Sequence, residues 1–288
     1  MSTLLASLAG LAIAGCMGTA GGGDADASAR DRRVRAFIEQ ARAATERYRD
    51  RATAIADGYH LIGEDFPGMG EHWVNAGLLF GGKHDVEHPE FLTYVDLGGA
   101  PRLLGVAYGL PLLEGEEPPE WPTGREAWHA HSRSLDDETL LPRHHASDHW
   151  SQGPRLAMLH AWIWLENPEG LFAPDNWAIP FLRLGLASPT KGGTDAGKAL
   201  SLLSGAGDYL ARAVPLAVAP TAIDTPTLRA AVARARANAQ AVAGTRSDPV
   251  LSAAELAELG AAWREMWRMI DAALPADATE RLRFLAFR

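Results

Sequence analysis

Cysteine is almost missing from this chain. Its one cysteine, Cys16, excludes any intrachain disulfide and leaves no pair of soft thiolates to hold a metal. Methionine does not replace it. There are six, Met1 and Met17 lie near the start, and the others are scattered, which disfavours a methionine-rich Cu(I) carrier. Basic charge is short too: 27 Lys and Arg stand against 36 Asp and Glu, a net charge of −9. A nucleic-acid partner needs a basic footprint, and none is visible. No later run is apolar for long enough to span a bilayer, since Asp208 and Arg212 interrupt the stretch around 200–218. Internal repeats, a phosphate loop, a dinucleotide fingerprint and a Gly-x-Ser-x-Gly elbow are also missing. Gly192-Gly193 and Gly205-Ala206-Gly207 lack the spacing of a phosphate loop.

What is present is unevenly spread. Residues 58–182 carry 19 acidic and 6 basic side chains, all ten histidines and seven of the nine tryptophans. That segment therefore holds the excess negative charge, which attracts cations and repels anionic partners. A chain of 288 residues is long enough to bury a core without cross-links, in one or two domains.

The first residues, MSTLLASLAGLAIAGC, form an apolar run too short to span a membrane. Leu11-Ala12-Ile13-Ala14-Gly15-Cys16 resembles a bacterial lipoprotein signal, in which small residues precede the lipidated cysteine. The usual basic residues before the apolar run are missing. The resemblance implies a signal peptide over 1–15, lipidation at Cys16 and an extracytoplasmic, membrane-anchored protein. Met17 stands where an inner-membrane retention signal would place Asp, so in a Gram-negative cell the expected address is the outer membrane. Residues 16–28, rich in Gly and Ala, read as a flexible tether.

Beyond the tether the periodicity changes twice. Val34, Phe37, Ala41, Ala44, Tyr48 and Ile55 recur at helical spacing from a start at Ser28 to an end at Gly58. Short apolar runs punctuated by Gly and Pro follow. Residues 91–96 and 102–108, joined by Leu-Gly-Gly-Ala-Pro, read as a β-hairpin. Residues 156–165, LAMLHAWIWL, read as a buried central strand with Met158, His160, Trp162 and Trp164 on one face. Leu159, Ile163 and Leu165 fall on the other. From Thr194 the pattern is helical again: one helix between 196 and 218, broken near Pro215, a second from about Pro226 to Val242, and a third. The third starts at the capping box Ser252–Glu255 and carries Leu256, Leu259, Trp263, Met266, Trp267, Ile270 and Leu274 on one stripe. The expected fold is α+β: an N-terminal helix on a small, mainly antiparallel sheet over 29–186, then a helical segment over 194–288 packing on it.

Five segments in order carry a wider likeness: ATAIADGY at 52–59, PGMGEHWVN at 67–75, HPEFLTY at 88–94, LLGVAY at 103–108 and LHAWIWLENPEGLFAPDNW at 159–177. Together they resemble a family of uncharacterised secreted bacterial proteins, often lipoproteins. Its Met-Gly-x-His core is matched by Met69, Gly70, Glu71 and His72, and its Leu-His-x-Trp strand by Leu159, His160, Ala161 and Trp162. Many members carry an acidic residue where this chain has Ala107. The resemblance implies one domain through Trp177 and supplies no reaction.

The candidate site is built from histidines. His129 and His131 project from one side of an extended chain. His160 lies mid-strand, where a buried imidazole needs partners. His72 follows a glycine turn that permits close backbone approach. Converging, the four would suit Zn, Cu or Fe as nitrogen ligands, with Glu71, Glu138 or Glu166 the nearest carboxylates in sequence to replace one. Two other readings stand beside it. His72 and His160 pair as a structural hydrogen bond while the His-x-His pair faces solvent, or the tryptophans form a metal-free platform for a glycan or small molecule. Ser132, Ser134 and Ser147 lie near histidines but on no strand-to-helix elbow, which disfavours a serine hydrolase. His84, His88, His144, His145 and His149 read as solvated.

Overall fold

The computed structural model describes residues 22–132, 143–145, 155–204, 225–276, 278, 279 and 282, with backbone alone at 22–26, 64, 130–132, 143–145, 155 and 225. The fold is α+β. Seven strands form one sheet: β1 (His60–Phe66), β2 (Gly70–Val74), β3 (Phe91–Asp96), β4 (Pro101–Leu112), β5 (His129–Ser132), β6 (Arg143–His145) and β7 (Arg155–Ala161). Their order is β1-β2-β3-β4-β7-β5-β6, and every pairing is antiparallel. The first four strands form a meander of neighbours. The chain then leaves β4, makes the β5–β6 hairpin, and returns so that β7 wedges between β4 and β5.

The N-terminal helix α1 runs from Gly22 to Thr45, so it begins six residues before Ser28 and takes in part of the stretch expected to be a tether. The alanines within this stretch are good helix formers. The period expected to continue to Gly58 is broken. A 3₁₀ turn (Glu46–Arg49) follows α1, and a separate helix α2 (Arg51–Ala56) starts where the Asp50 carboxylate accepts from the Ala52 amide. Phe37 and Ala41 of α1 pack on the sheet face made by Leu92, Tyr94, Val106, Tyr108 and Leu159. Arg42 and Arg49 both lie over the Trp164 ring, and Arg42 Nε donates to the Ile163 carbonyl.

β7 has the expected alternation up to Ile163. Met158 and Trp162 face one side, Leu159 and Ile163 the other. Beyond that the faces swap: Trp164 joins the α1 side and Leu165 the opposite side. The cause is local. The strand ends at Ala161, whose carbonyl accepts from the Ile163 amide in a tight turn, and the Trp164 and Leu165 amides both donate to the Leu104 carbonyl. One carbonyl serving two successive amides advances the chain by one residue and reverses its faces.

The short helices α3 (Ala76–Leu79) and α4 (Ile179–Arg183) border the sheet. The helical segment consists of α5 (Thr194–Ser201), α6 (Thr225–Ala243) and α7 (Ala253–Ala273). Ser252 and Glu255 form the reciprocal capping box at the start of α7. The stripe Leu259, Trp263, Met266, Trp267 and Ile270 is buried against α5 and α6, in a core that also takes in Trp177 and Phe181. The helix expected between 196 and 218 is described as α5, which ends at Ser201 and turns over 202–204; residues 205–218, Pro215 among them, lie outside the described residues.

Candidate functional site

One sheet face is covered by α1. The other carries the histidines. Strand register places them: His72 is the Cα partner of Thr93, which partners Gly105, while His160 partners Ala107, which partners Phe91. β2 and β7 are three strand spacings apart, roughly 14 Å in a flat sheet. Their imidazoles nevertheless meet, with Nε2 of His72 3.4 Å from Nε2 of His160. The sheet must therefore curl about this face, and the intervening Thr93, Gly105 and Ala107 are small enough to pass under the two rings.

His129 is the third member. It is the Cα partner of Met158, two residues from His160 on the same face of β7. Its ring stands edge-on to that of His160, centroids 5.1 Å apart and planes at 79°. All three imidazoles are buried: His72 is 8 % exposed, His129 6 % and His160 1 %. Apolar rings wall them in. Phe66 packs against His72 and Trp162 against His160, each close to perpendicular.

The protonation of His160 follows from its partner. Its Nδ1 lies 2.5 Å from the Pro174 carbonyl oxygen. A carbonyl can only accept, so Nδ1 carries a hydrogen. Burial lowers the His160 pKa to about 4, against the smaller opposing effect of that hydrogen bond. The ring is then neutral at pH 7, and Nε2, the atom facing His72, holds a lone pair. Metal-binding histidines are commonly oriented this way, with the far N–H tied to a backbone carbonyl.

Two nitrogens bound to one tetrahedral zinc at ~2.0–2.1 Å stand about 3.3–3.4 Å apart. The His72–His160 separation matches that spacing and sits at the outer limit of a hydrogen bond. As they stand, however, no three His, Cys, Asp or Glu side chains among the described residues form a group that could hold a metal ion. The structure thus brings together His72, His160 and His129, with only the first two at ligand spacing. His131 belongs to β5 by its backbone, as partner of His144 and Leu156; its side chain lies outside the described residues.

No family model, no curated protein and no solved structure matches this chain.

The carboxylates nearest in sequence do not join the cluster. Glu71 alternates to the α1 face, where its Oε2 accepts from Arg51 and from the Trp73 indole. Glu166 is exposed, and Glu138 lies outside the described residues. So do Ser134, Ser147 and His149, and Ser132, His144 and His145 are described by backbone alone, the two histidines on β6. The described tryptophans are all buried or half-buried; Trp128, for one, is 2 % exposed and donates to the Trp121 carbonyl.

Sequence reasoning missed Glu90. It is fully buried, and burial raises its pKa. His84 Nδ1 lies 2.7 Å from its Oε1, and the Gly109 amide donates to its Oε2. His84 is exposed, as expected, and also tied to Glu90, while the exposed His88 pairs with Asp85. Tyr59 donates to the Pro89 carbonyl and Tyr108 to that of Val86, so these tyrosines hold the connection before β3 beside Glu90. Nothing in HPEFLTY marked this glutamate, because an alternating strand start reads the same with its carboxylate in or out.

Proposed function

We propose that this chain is a cell-envelope lipoprotein that binds a transition metal, Zn, Cu or Fe, through His72 and His160, with His129 turning in as a third ligand and His131 of the same strand available as a fourth. The observation that carries the reading is the Nε2–Nε2 separation of 3.4 Å between two buried imidazoles, one of them fixed by a backbone carbonyl with its lone pair toward the other. Three nitrogens and an open position would suit catalysis or transport; four would suit a closed structural site. The same separation also admits the competing reading, a weak structural hydrogen bond in which the His72 Nε2–H donates to His160.

Elemental analysis of the full protein, purified without chelator, separates the two. The metal reading expects near one equivalent of Zn, Cu or Fe, lost in the His72→Ala/His160→Ala double variant. Metal-free protein whose melting temperature does not rise on adding these ions would return both residues to the core.

Anchoring is proposed on the sequence, with Cys16 outside the described residues. No described helix is long and apolar enough to cross a membrane. Cys16→Ala should shift the protein from the membrane to the soluble fraction or block its processing. Membrane retention at wild-type levels would refute the lipoprotein assignment.

A further inference from the structure

Four arginines crowd one stretch of α1: Arg30, Arg32, Arg33 and Arg35, with Asp31 the one acid among them. Phe37 and Ala41 mark the side of α1 that packs on the sheet. At about 100° per residue Arg32 and Arg35 fall on the opposite side and Arg33 on its flank. Glu39 is the next acid on that side, one turn beyond Arg35. Arg30 pairs with Glu126. Arg32, Arg33 and Arg35 are exposed and make no ion pair among the described residues. Arginines elsewhere are engaged, as Arg47 is with Asp57 and Arg264 with Asp195. In a chain of net charge −9, three neighbouring cations without partners are unexpected.

Their place in the chain points to what covers them. Gly22, the start of α1, follows the proposed lipidation site Cys16 by six residues, which span at most about 22 Å however they are arranged. Arg32 comes ten residues into the helix, about 15 Å further on. We propose that the face of α1 bearing Arg32, Arg33 and Arg35 docks on the anionic headgroups of the bilayer that holds the lipid on Cys16. The helix then lies against the membrane, and the acidic body is held away from it. This rests on the lipoprotein reading and adds an electrostatic contact to it. Guanidinium pairs with phosphate through two parallel hydrogen bonds. Each arginine beside an anionic surface strengthens binding about fivefold, so three give on the order of a hundredfold. The 19 acids of residues 58–182 oppose this. Salt, however, screens charges more than ~8 Å from the surface, so arginines in contact outweigh acids at a distance.

Cys16 is the only thiol, so the chain from Cys16 onward, which keeps every described residue, can be alkylated there with one myristoyl-length chain. A single acyl chain binds only marginally, which leaves the electrostatic part visible. Co-sedimentation then compares vesicles of phosphatidylcholine with vesicles containing about one-third phosphatidylglycerol. Wild type should favour the anionic vesicles at least about twentyfold, and about 0.5 M salt should remove the preference. Arg32→Gln/Arg33→Gln/Arg35→Gln should lose it while binding neutral vesicles as before. Arg229→Gln/Arg234→Gln/Arg236→Gln on α6, the same loss of charge on another helix, should keep it. Should the α1 variant melt lower than wild type, Arg32→Gln and Arg35→Gln singly replace it, each weakening anionic binding about fivefold. Wild type indifferent to vesicle charge, or equal losses in the α1 and α6 variants, overturns docking by this face. Because the acyl chain is attached chemically, that result leaves the lipoprotein reading standing. Membrane retention of Cys16→Ala in cells sinks that reading, and the bilayer partner with it, whatever the vesicles show.

Discussion

Acidification from pH 6.5 to pH 4 should cost the metal-free protein about 3 kcal/mol of stability through His160 alone. The folded protein holds this imidazole at a pKa of about 4, and the unfolded chain has it near the ordinary 6.5. The unfolded state therefore binds the proton first, and stability falls as pH falls. The contribution is complete above about 6.5, declines across the window, and is flat below 4. Desolvation is the cause. The groups facing the ring are His72, His129 and the Pro174 carbonyl, and among the described residues no charged neighbour offsets the burial. Denaturant titrations at several pH values on wild type and His160→Gln check this. The variant should lose most of the slope between pH 6.5 and 4, whatever its stability at pH 7. Equal slopes in the two proteins would show that the ring reaches water before the fold opens.

Gly70→Ala should be the most damaging single-methyl change near the site. Gly70 has φ +73°, and a Cβ there would stand 2.2 Å from the Tyr94 carbonyl oxygen. The left-handed backbone alone costs an alanine roughly 1–2 kcal/mol. The clash adds to this, because the atom met is backbone in the paired strand β3 and cannot turn aside. Gly98→Ala is the matched control: its φ is +70° and a Cβ there meets nothing within 4 Å. The Gly70 variant should therefore lose at least about 2 kcal/mol and the Gly98 variant about half that, measured by denaturant unfolding. Relief of the clash must push β2 away from β3 two residues before His72, so on the proposed metal-binding reading the Gly70 variant should also bind metal more weakly. Similar losses in the two variants would mean that β2 can shift freely, and that Gly70 does not position His72.

The glycine turn before His72 was visible in PGMGEHW, since two glycines around one residue permit a close approach whatever the fold. The hairpin of β3 and β4 was visible for a related reason, its turn residues and both strands being neighbours in sequence. The capping box of α7 spans four residues and was equally plain. The break between α1 and α2 was not, because Tyr48 and Ile55 keep the helical period through it. The swap of faces after Ile163 was hidden too. It depends on one carbonyl of β4, some sixty residues earlier, accepting two successive amides.

The histidines divide the same way. Sequence put His160 mid-strand and His72 after a turn, and it paired His129 with His131 by alternation. Each of these is a local relation, fixed by the two-residue period of an extended chain. Sequence by itself also determined the acid excess of the middle segment, the want of thiolates and the lipoprotein-like start. Only the tertiary structure decided that β7 returns between β4 and β5, which sets His129 beside His160, and that the sheet curls until His72 touches His160 across two intervening strands. It also decided that Glu71 faces away, and that Glu90 and Thr93 are buried. Strand order and curl are settled by contacts among residues tens of positions apart, summed over a whole face of the sheet, and no local pattern of side chains encodes them.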